Sequence, residues 1–163
     1  MSLVRSTRLA DAPSLWPVFD AVCRERRYLG TLEAPALEQF QAFVSSVVDA
    51  GSAYFVAEAD GRIVGWCDAL PGPAAMGTNH VGRLGMGVLK DFRGRGIGRQ
   101  LLEATIAKAR ERGLEKIELS VYATNLSAIG LYRNFGFQEE GRKKRGRLVD
   151  GIYDDVILMG LAL

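Results

Sequence analysis

Apolar residues recur at three- and four-residue steps in two clear stretches of this 163-residue chain. Over 35–49 they are Leu37, Phe40, Val44, Val47 and Val48, with Pro35 near the start and Gly51 just past the end, which predicts an amphipathic helix packed on a core. From Gly96 to about Arg112, Ile97, Leu101, Leu102, Ile106 and Ala109 share one face and Glu103, Lys108, Arg110 and Glu111 the other, and Gly113 ends the run. A helical pattern also follows Asp11, but Pro17 removes a backbone donor there, so the helix is expected to begin late or bend. Asn125 opens a short helix that runs through Phe135 and closes at Gly136.

Strand patterns fill the intervals. Leu3 to Arg8 predicts a short first strand, and residues 52–59 and 62–70 predict a hairpin through Asp60-Gly61, a pair that tolerates positive φ. Residues 71–79 read as a loop and 80–89 as a strand, where Gly82, Gly85 and Gly87 suggest a bulge or a close approach by something bound. Residues 116–123 form another strand. Two more are expected between Phe137 and Leu163, around a turn at Arg142–Arg147 and around Val149-Asp150-Gly151. The order is α/β without repeats, which predicts one domain, 1–163, with a mixed sheet and helices on its faces.

Composition adds exclusions. Hydrophobic residues at 48% and charged residues at 25% are those of a globular domain. The N-terminus lacks the apolar stretch of a signal peptide and no window approaches a membrane span, so a cytoplasmic protein without a membrane partner is expected. Cys23 and Cys67 lack metal-ligand spacing and read as buried reduced thiols. The net charge of +2 is too small to argue for nucleic acid. Only RKKRGR, 142–147, is locally basic; it reads as a solvated turn, with no aromatic residues interleaved to stack on bases.

Candidate chemistry concentrates in FRGRGIG, 92–98. A strand that ends in a glycine turn and enters a helix leaves the first helical N–H groups unpaired at the positive end of the dipole, where anions bind. Gly94, Gly96 and Gly98 let a ligand approach the backbone, while Arg93, Arg95 and Arg99 offer charge-assisted hydrogen bonds. The loop lacks the GK[ST] ending of a P-loop, and its spacing breaks the dinucleotide fingerprint. A pyrophosphate held without a metal fits best.

VLKDFRGRGIGRQLL, 88–102, resembles motif A of the GNAT superfamily of acyl-CoA-dependent N-acyltransferases, with Arg93, Gly96 and Gly98 in the pattern positions. NLSAIGLYRNFGF, 125–137, is similar to a second segment of that family, supplied by Asn125, Ala128, Tyr132, Gly136 and Phe137. The two motifs stand in the family's order and separation, and the resemblance covers nearly the whole chain.

That resemblance implies a central, mostly antiparallel six- to seven-stranded sheet, splayed between its fourth and fifth strands and flanked by about four helices. It implies acetyl-CoA as cosubstrate and no metal. Backbone groups of Met86, Gly87 and Val88 would hold the pantetheine and the acetyl carbonyl, and Arg93, Gly94, Arg95, Gly96, Ile97 and Gly98 the pyrophosphate. Asn125 would both cap its helix and contact the pantetheine or a water. Tyr132 would donate a proton to the departing thiol, since a phenol with a pKa near 10 is protonated at neutral pH.

The expected function is an N-acetyltransferase that moves acetyl from acetyl-CoA to a primary amine of an amino-acid-like molecule or a peptide, by direct attack in a ternary complex. The alternative is a non-catalytic acyl-CoA-binding regulatory module. The general base is left among His80, Glu118, Asp68, Asp155 and water. The acceptor is expected near 23–35 and 141–155, where Arg26, Arg27, Tyr28 and Glu33 could grip a zwitterion or serve as solvated charges. The sequence leaves a homodimer, and acyl groups longer than acetyl, open.

Overall fold

The computed structural model describes all of residues 1–163. Seven strands form one sheet: β1 (Ser2–Ser6), β2 (Ala53–Ala59), β3 (Arg62–Pro71), β4 (Val81–Val88), β5 (Lys116–Tyr122), β6 (Gln138–Val149) and β7 (Ile152–Ala162). Four helices flank it: α1 (Ala12–Arg24), α2 (Leu37–Asp49), α3 (Ile97–Glu111) and α4 (Leu126–Asn134). The strand order is β1-β2-β3-β4-β5-β7-β6, and every neighbouring pair is antiparallel except β4 and β5. A mostly antiparallel seven-stranded sheet with four helices is the architecture the motifs implied.

The two faces carry separate cores. On one, Leu101, Leu102 and Ile106 of α3 pack on Val64, Cys67 and Ala69 of β3 and on Ile117 of β5. On the other, Leu15 and Val22 of α1 and Phe40 and Val44 of α2 cover Tyr54, Val56 and Trp66. Alternation along β3 sends Trp66 to the α1–α2 face and Cys67 and Ala69 to the α3 face, and the bulge at Ala57/Glu58, which leaves Val64 without a partner in the β2 register, shifts the phase so that Val64 joins the α3 face and Ile63 the other. Asp60 and Gly61 turn the β2–β3 hairpin at φ 51° and 72°, as the Asp-Gly pair predicts.

Two expectations are corrected. Helix α1 runs through Pro17 without interruption. Pro17 and Pro13 are both exposed, so the carbonyl that loses its partner faces water and the cost of the missing bond is reduced. The second is RKKRGR, which lies inside β6, with the turn one step later at Asp150 (φ 53°) and Gly151 (φ 75°). The register slips between Lys143 and Arg147, and Arg145 takes a φ of 51° there. This is a bulge in an edge strand, held by Asp155, which accepts from the Arg145 N–H at 2.8 Å and from Arg142 at 2.9 Å.

Candidate active site

The site exists because β4 and β5 part. They pair over only three residues, Val81–Arg83 against Lys116–Glu118, and then diverge. The opening is a cavity of about 540 Å³, walled by Leu84–Val88 on one side, Leu119–Tyr122 on the other, and the start of α3 and α4. Strand alternation decides which main-chain groups face it. The Leu89 N–H donates to the Val64 carbonyl and the Val81 carbonyl accepts from Gly72, so the odd-numbered residues of β4 bond to β3. Leu84, Met86 and Val88 therefore turn their N–H and C=O groups toward the opening. Of the three residues expected to offer backbone, Met86 and Val88 are placed to do so, whereas Gly87 has its main chain in the ladder with Trp66.

Gly87 has another reason to be glycine. A Cβ there would sit 2.3–3.1 Å from the Trp66 ring, and one at Gly85 would meet the Asp68 carboxylate at 3.3 Å. On the α1–α2 face β4 is thus bare, and two side chains from β3 lean across it. The sequence suggests a bulge or an approach by something bound; in the structure the groups at these glycines are the protein's own Trp66 and Asp68 side chains.

At the far end of the cavity, the glycine loop is open to a ligand and has a geometry that favours glycine. Gly94 (φ 73°) and Gly96 (φ 80°) are left-handed, and no atom lies within 4 Å of where their Cβ atoms would be. Gly96 is the N-cap of α3 and no side chain caps that helix, so the N–H groups of Ile97, Gly98 and Arg99 open toward the cavity they line. Gly98 also packs, its missing Cβ leaving 3.3 Å to Met86 Cε. The open loop, the uncapped helix and the free β4 main chain together fit an elongated ligand with an anionic end.

The loop's arginines divide their work differently from expectation. Arg93 turns inward: its Nε donates to the Val88 carbonyl at 2.8 Å, its Nη2 to Glu25 at 2.7 Å, and its guanidinium lies 4.7 Å over the Tyr28 ring. It braces the end of β4 against the chain after α1, rather than reaching for phosphate. Arg95 folds back to donate to the Asp91 carbonyl and stacks on Phe92. Arg99 makes no hydrogen bond or ion pair and lines the cavity, which leaves it as the loop's free cation.

Helix α4 delivers two further side chains. Asn125 is its N-cap, its Oδ1 accepting from the Ala128 N–H at 3.3 Å, and it also lines the cavity. Both readings of Asn125 are compatible with this placement. One turn beyond Ala128, the Tyr132 ring is buried against Phe137, with centroids 5.6 Å apart. Its hydroxyl makes no hydrogen bond within the protein, and Tyr132 lines the cavity. Burial, and to a lesser degree nearby Cys67, pushes the phenol well above its ordinary pKa, so it stays protonated at working pH.

The candidate bases separate by position. His80 is exposed in the turn before β4, six residues from Met86, or roughly 20 Å at the rise of a strand. Glu118 pairs with Arg83 at 3.5 Å. Asp155 holds the β6 bulge, and the Arg145 N–H followed by Arg142 keeps its carboxyl below the usual range. Among the candidate carboxylates, Asp68 alone is without a partner.

The chain after α1 forms the opposite lip of the cavity through Tyr28, Leu29 and Gly30. It is clasped by the β6–β7 hairpin: Arg26 forks onto Asp150 with two bonds of 2.9 Å, and Arg147 donates to the Leu29 carbonyl at 3.3 Å while lying 4.1 Å over the Tyr122 ring. Arg26 and Glu33, considered as grips for a ligand, are occupied, Glu33 facing Arg24 at 3.6 Å. The clasp and the Arg93–Glu25 brace escaped the sequence, because their partners lie 124, 118 and 68 residues apart and no local pattern couples them.

A sheet parted beside a glycine loop, with free strand amides and an uncapped helix at the parting, defines an acyl-CoA-dependent acyltransferase. The family profile of the acetyltransferase (GNAT) family matches residues 16–137, and the chain belongs to that family. It is 29% identical to an N-alpha-acetyltransferase of Sulfurisphaera tokodaii, over 98% of this chain and 92% of that protein. It is also 29% identical to an L-methionine sulfoximine/L-methionine sulfone acetyltransferase of Pseudomonas aeruginosa, over 90% of this chain and 89% of that one. It spans only 44% of the length of the human N-acetyltransferase 8B that it also matches. Its fold superposes with a TM-score of 0.93 on yncA of Salmonella typhimurium, solved with acetyl-CoA, at 19% identity, over 100% of this chain and 94% of that one.

Proposed function

We propose that the protein transfers the acetyl group of acetyl-CoA directly to the primary amine of an amino-acid-like small molecule or a peptide, both substrates being bound together. The observation that carries this reading is the cavity between β4 and β5, which is lined by Tyr132 of α4 and by Tyr28–Gly30 of the chain after α1, so that one cavity touches elements from both faces of the sheet. The two relatives matched over nearly the whole chain support it, one named for N-alpha acetylation and the other for amino-acid analogues. Acetyl-CoA supplies the activated acetyl group.

Each residue then has a defined task. The N–H groups of Ile97, Gly98 and Arg99, with the Arg99 side chain, meet the pyrophosphate. The Met86 main chain receives the pantetheine as an added strand. The Val88 N–H, fixed by the Arg93 brace on the same residue's carbonyl, is aimed at the acetyl oxygen and favours the charge that grows there by a few kcal/mol. Tyr132, kept neutral by burial, gives its proton to sulfur as the C–S bond breaks. A cytoplasmic location belongs to the same reading, supported by two buried free thiols.

Testing needs a panel of amines, including L-methionine sulfone, free amino acids and short peptides, with thiol release as the readout. CoA release dependent on one of these amines is expected. Acetyl-CoA binding without release from any of them would contradict the catalytic reading and leave the acyl-CoA-binding module.

A further inference from the structure

Resting on that acetyltransferase reading, we propose that Asp68 is the carboxylate that receives the acceptor's ammonium group on the α1–α2 face of the sheet and takes its proton before attack.

The geometry is specific. Asp68 stands opposite Gly85 in the β3–β4 ladder and shares the α1–α2 face with Trp66. No hydrogen bond or ion pair reaches its carboxylate, although twelve ion pairs occur elsewhere in the molecule and no other acid among the candidate bases stands unpaired inside the sheet. Asp68 is half-buried; a carboxylate withdrawn from water without a partner is costly to keep, and such groups concentrate where a ligand supplies the missing charge. Gly85 lines the cavity, and the Asp68 carboxylate stands directly behind it, 3.3 Å from where a Cβ on Gly85 would be, so that no side chain of residue 85 separates the two. Met86 and Val88, one and three residues along β4, lie within about 10 Å at the rise of a strand, the span of an amine and at most one water.

The sheet also separates the two proton transfers. Tyr132 belongs to the core on the α3 side and Asp68 projects to the α1–α2 side, so the sulfur leaves on one face and nitrogen arrives on the other. Protons and electrons balance. One ammonium proton passes to the carboxylate; the freed nitrogen lone pair forms the C–N bond; the C–S electrons leave on sulfur, which takes the Tyr132 proton. A second proton lost from nitrogen as the amide forms restores the phenol through solvent, and Asp68 returns its own proton to water.

The groups around Asp68 leave it free to titrate. Tyr54 faces it from β2 and is itself pushed up, by burial first and then by Asp68. Arg83 on β4 is two residues beyond Gly85 and turned to Glu118, while Arg93, beside Tyr28, is turned to Glu25. Cys67 points to the other face, and burial first, then Thr105 and Asp68, set its thiol. Burial alone raises the Asp68 carboxyl to about 8. An acid that works as a base must be ionised, so activity should rise with pH through that value.

The test is the pH dependence of kcat/KM for wild type, Asp68→Asn and Asp68→Glu, with L-methionine sulfone and an alanine-initiated tripeptide as acceptors, beside acetyl-CoA titrations and thermal melts. Wild type should show a limb near pH 8. Asp68→Asn should lose about 10²-fold in rate and lose that limb, with acetyl-CoA affinity within twofold and no drop in melting temperature, while Asp68→Glu keeps the limb. Amine-dependent release that survives Asp68→Asn within threefold, limb included, overturns this assignment alone. No release by the wild type with either acceptor overturns it together with the acetyltransferase reading.

Discussion

Tyr132 shows how far a single residue can be read before its surroundings are known. The motif placed it on a short helix, one turn after Ala128, and the structure adds that its ring is buried while the residue lines the cavity and its hydroxyl makes no hydrogen bond within the protein. A purely structural tyrosine of this depth would pair its hydroxyl. Tyr132→Phe should therefore lower kcat about 10²-fold while the acetyl-CoA dissociation constant changes less than twofold, as measured by steady-state kinetics and calorimetry on the same preparation. A kcat within threefold of wild type would remove the acid role. In the sequence the glycines read as room for a ligand at the backbone, and the left-handed φ of Gly94 and Gly96 is a second reason for glycine that only the structure shows. The work of the arginines was not legible: the sequence gives Arg93 a charge, but whether it meets a phosphate or Glu25 depends on a contact 68 residues away.

Among the elements, the hydrophobic period found α2 and α3 to within two residues and the Asp-Gly pair found the β2–β3 hairpin. Two failures share one cause, the side of an element that faces water. Pro17 was expected to delay or bend α1, and its solvent side absorbs the lost bond; RKKRGR was expected to turn, and an edge strand tolerates the charges because its outer side is solvated. The junction of β1 with α1 was missed altogether. Arg5 there forks onto Asp11 at 2.7 and 2.8 Å and also binds Glu58 of β2, and Asp11 accepts from the Arg8 N–H. The Arg5 hydrogen bonds hold Asp11 below its ordinary 3.8. A depressed carboxyl stabilises the fold above its unfolded value, and this contribution is lost as pH falls below about 4. Asp11→Asn should lower the melting temperature at pH 7 by roughly 4–8 °C, for about 2 kcal/mol lost. Its melting temperature should also fall less steeply than wild type between pH 5 and 3; parallel acid limbs in differential scanning would contradict the role given to the clamp.

At the scale of the whole molecule, the order of strands and helices predicted a mixed sheet, and the family motifs implied where it opens. What the linear pattern could not carry is the registry across that opening, which turns Met86 and Val88 outward and Gly87 inward, and the clasp that sets the Tyr28–Gly30 lip against β6 and β7. These arise only when the whole sheet is assembled, because each depends on strands distant in sequence. The central claim is that the parted main chain of β4 and the uncapped start of α3 grasp acetyl-CoA. Amide hydrogen exchange, followed by mass spectrometry with and without saturating acetyl-CoA, tests it directly. Exchange should slow over Leu84–Val88 and over Gly94–Arg99, and stay unchanged in β1 and β2. Slowing confined to other segments, or none at millimolar ligand, would contradict the account.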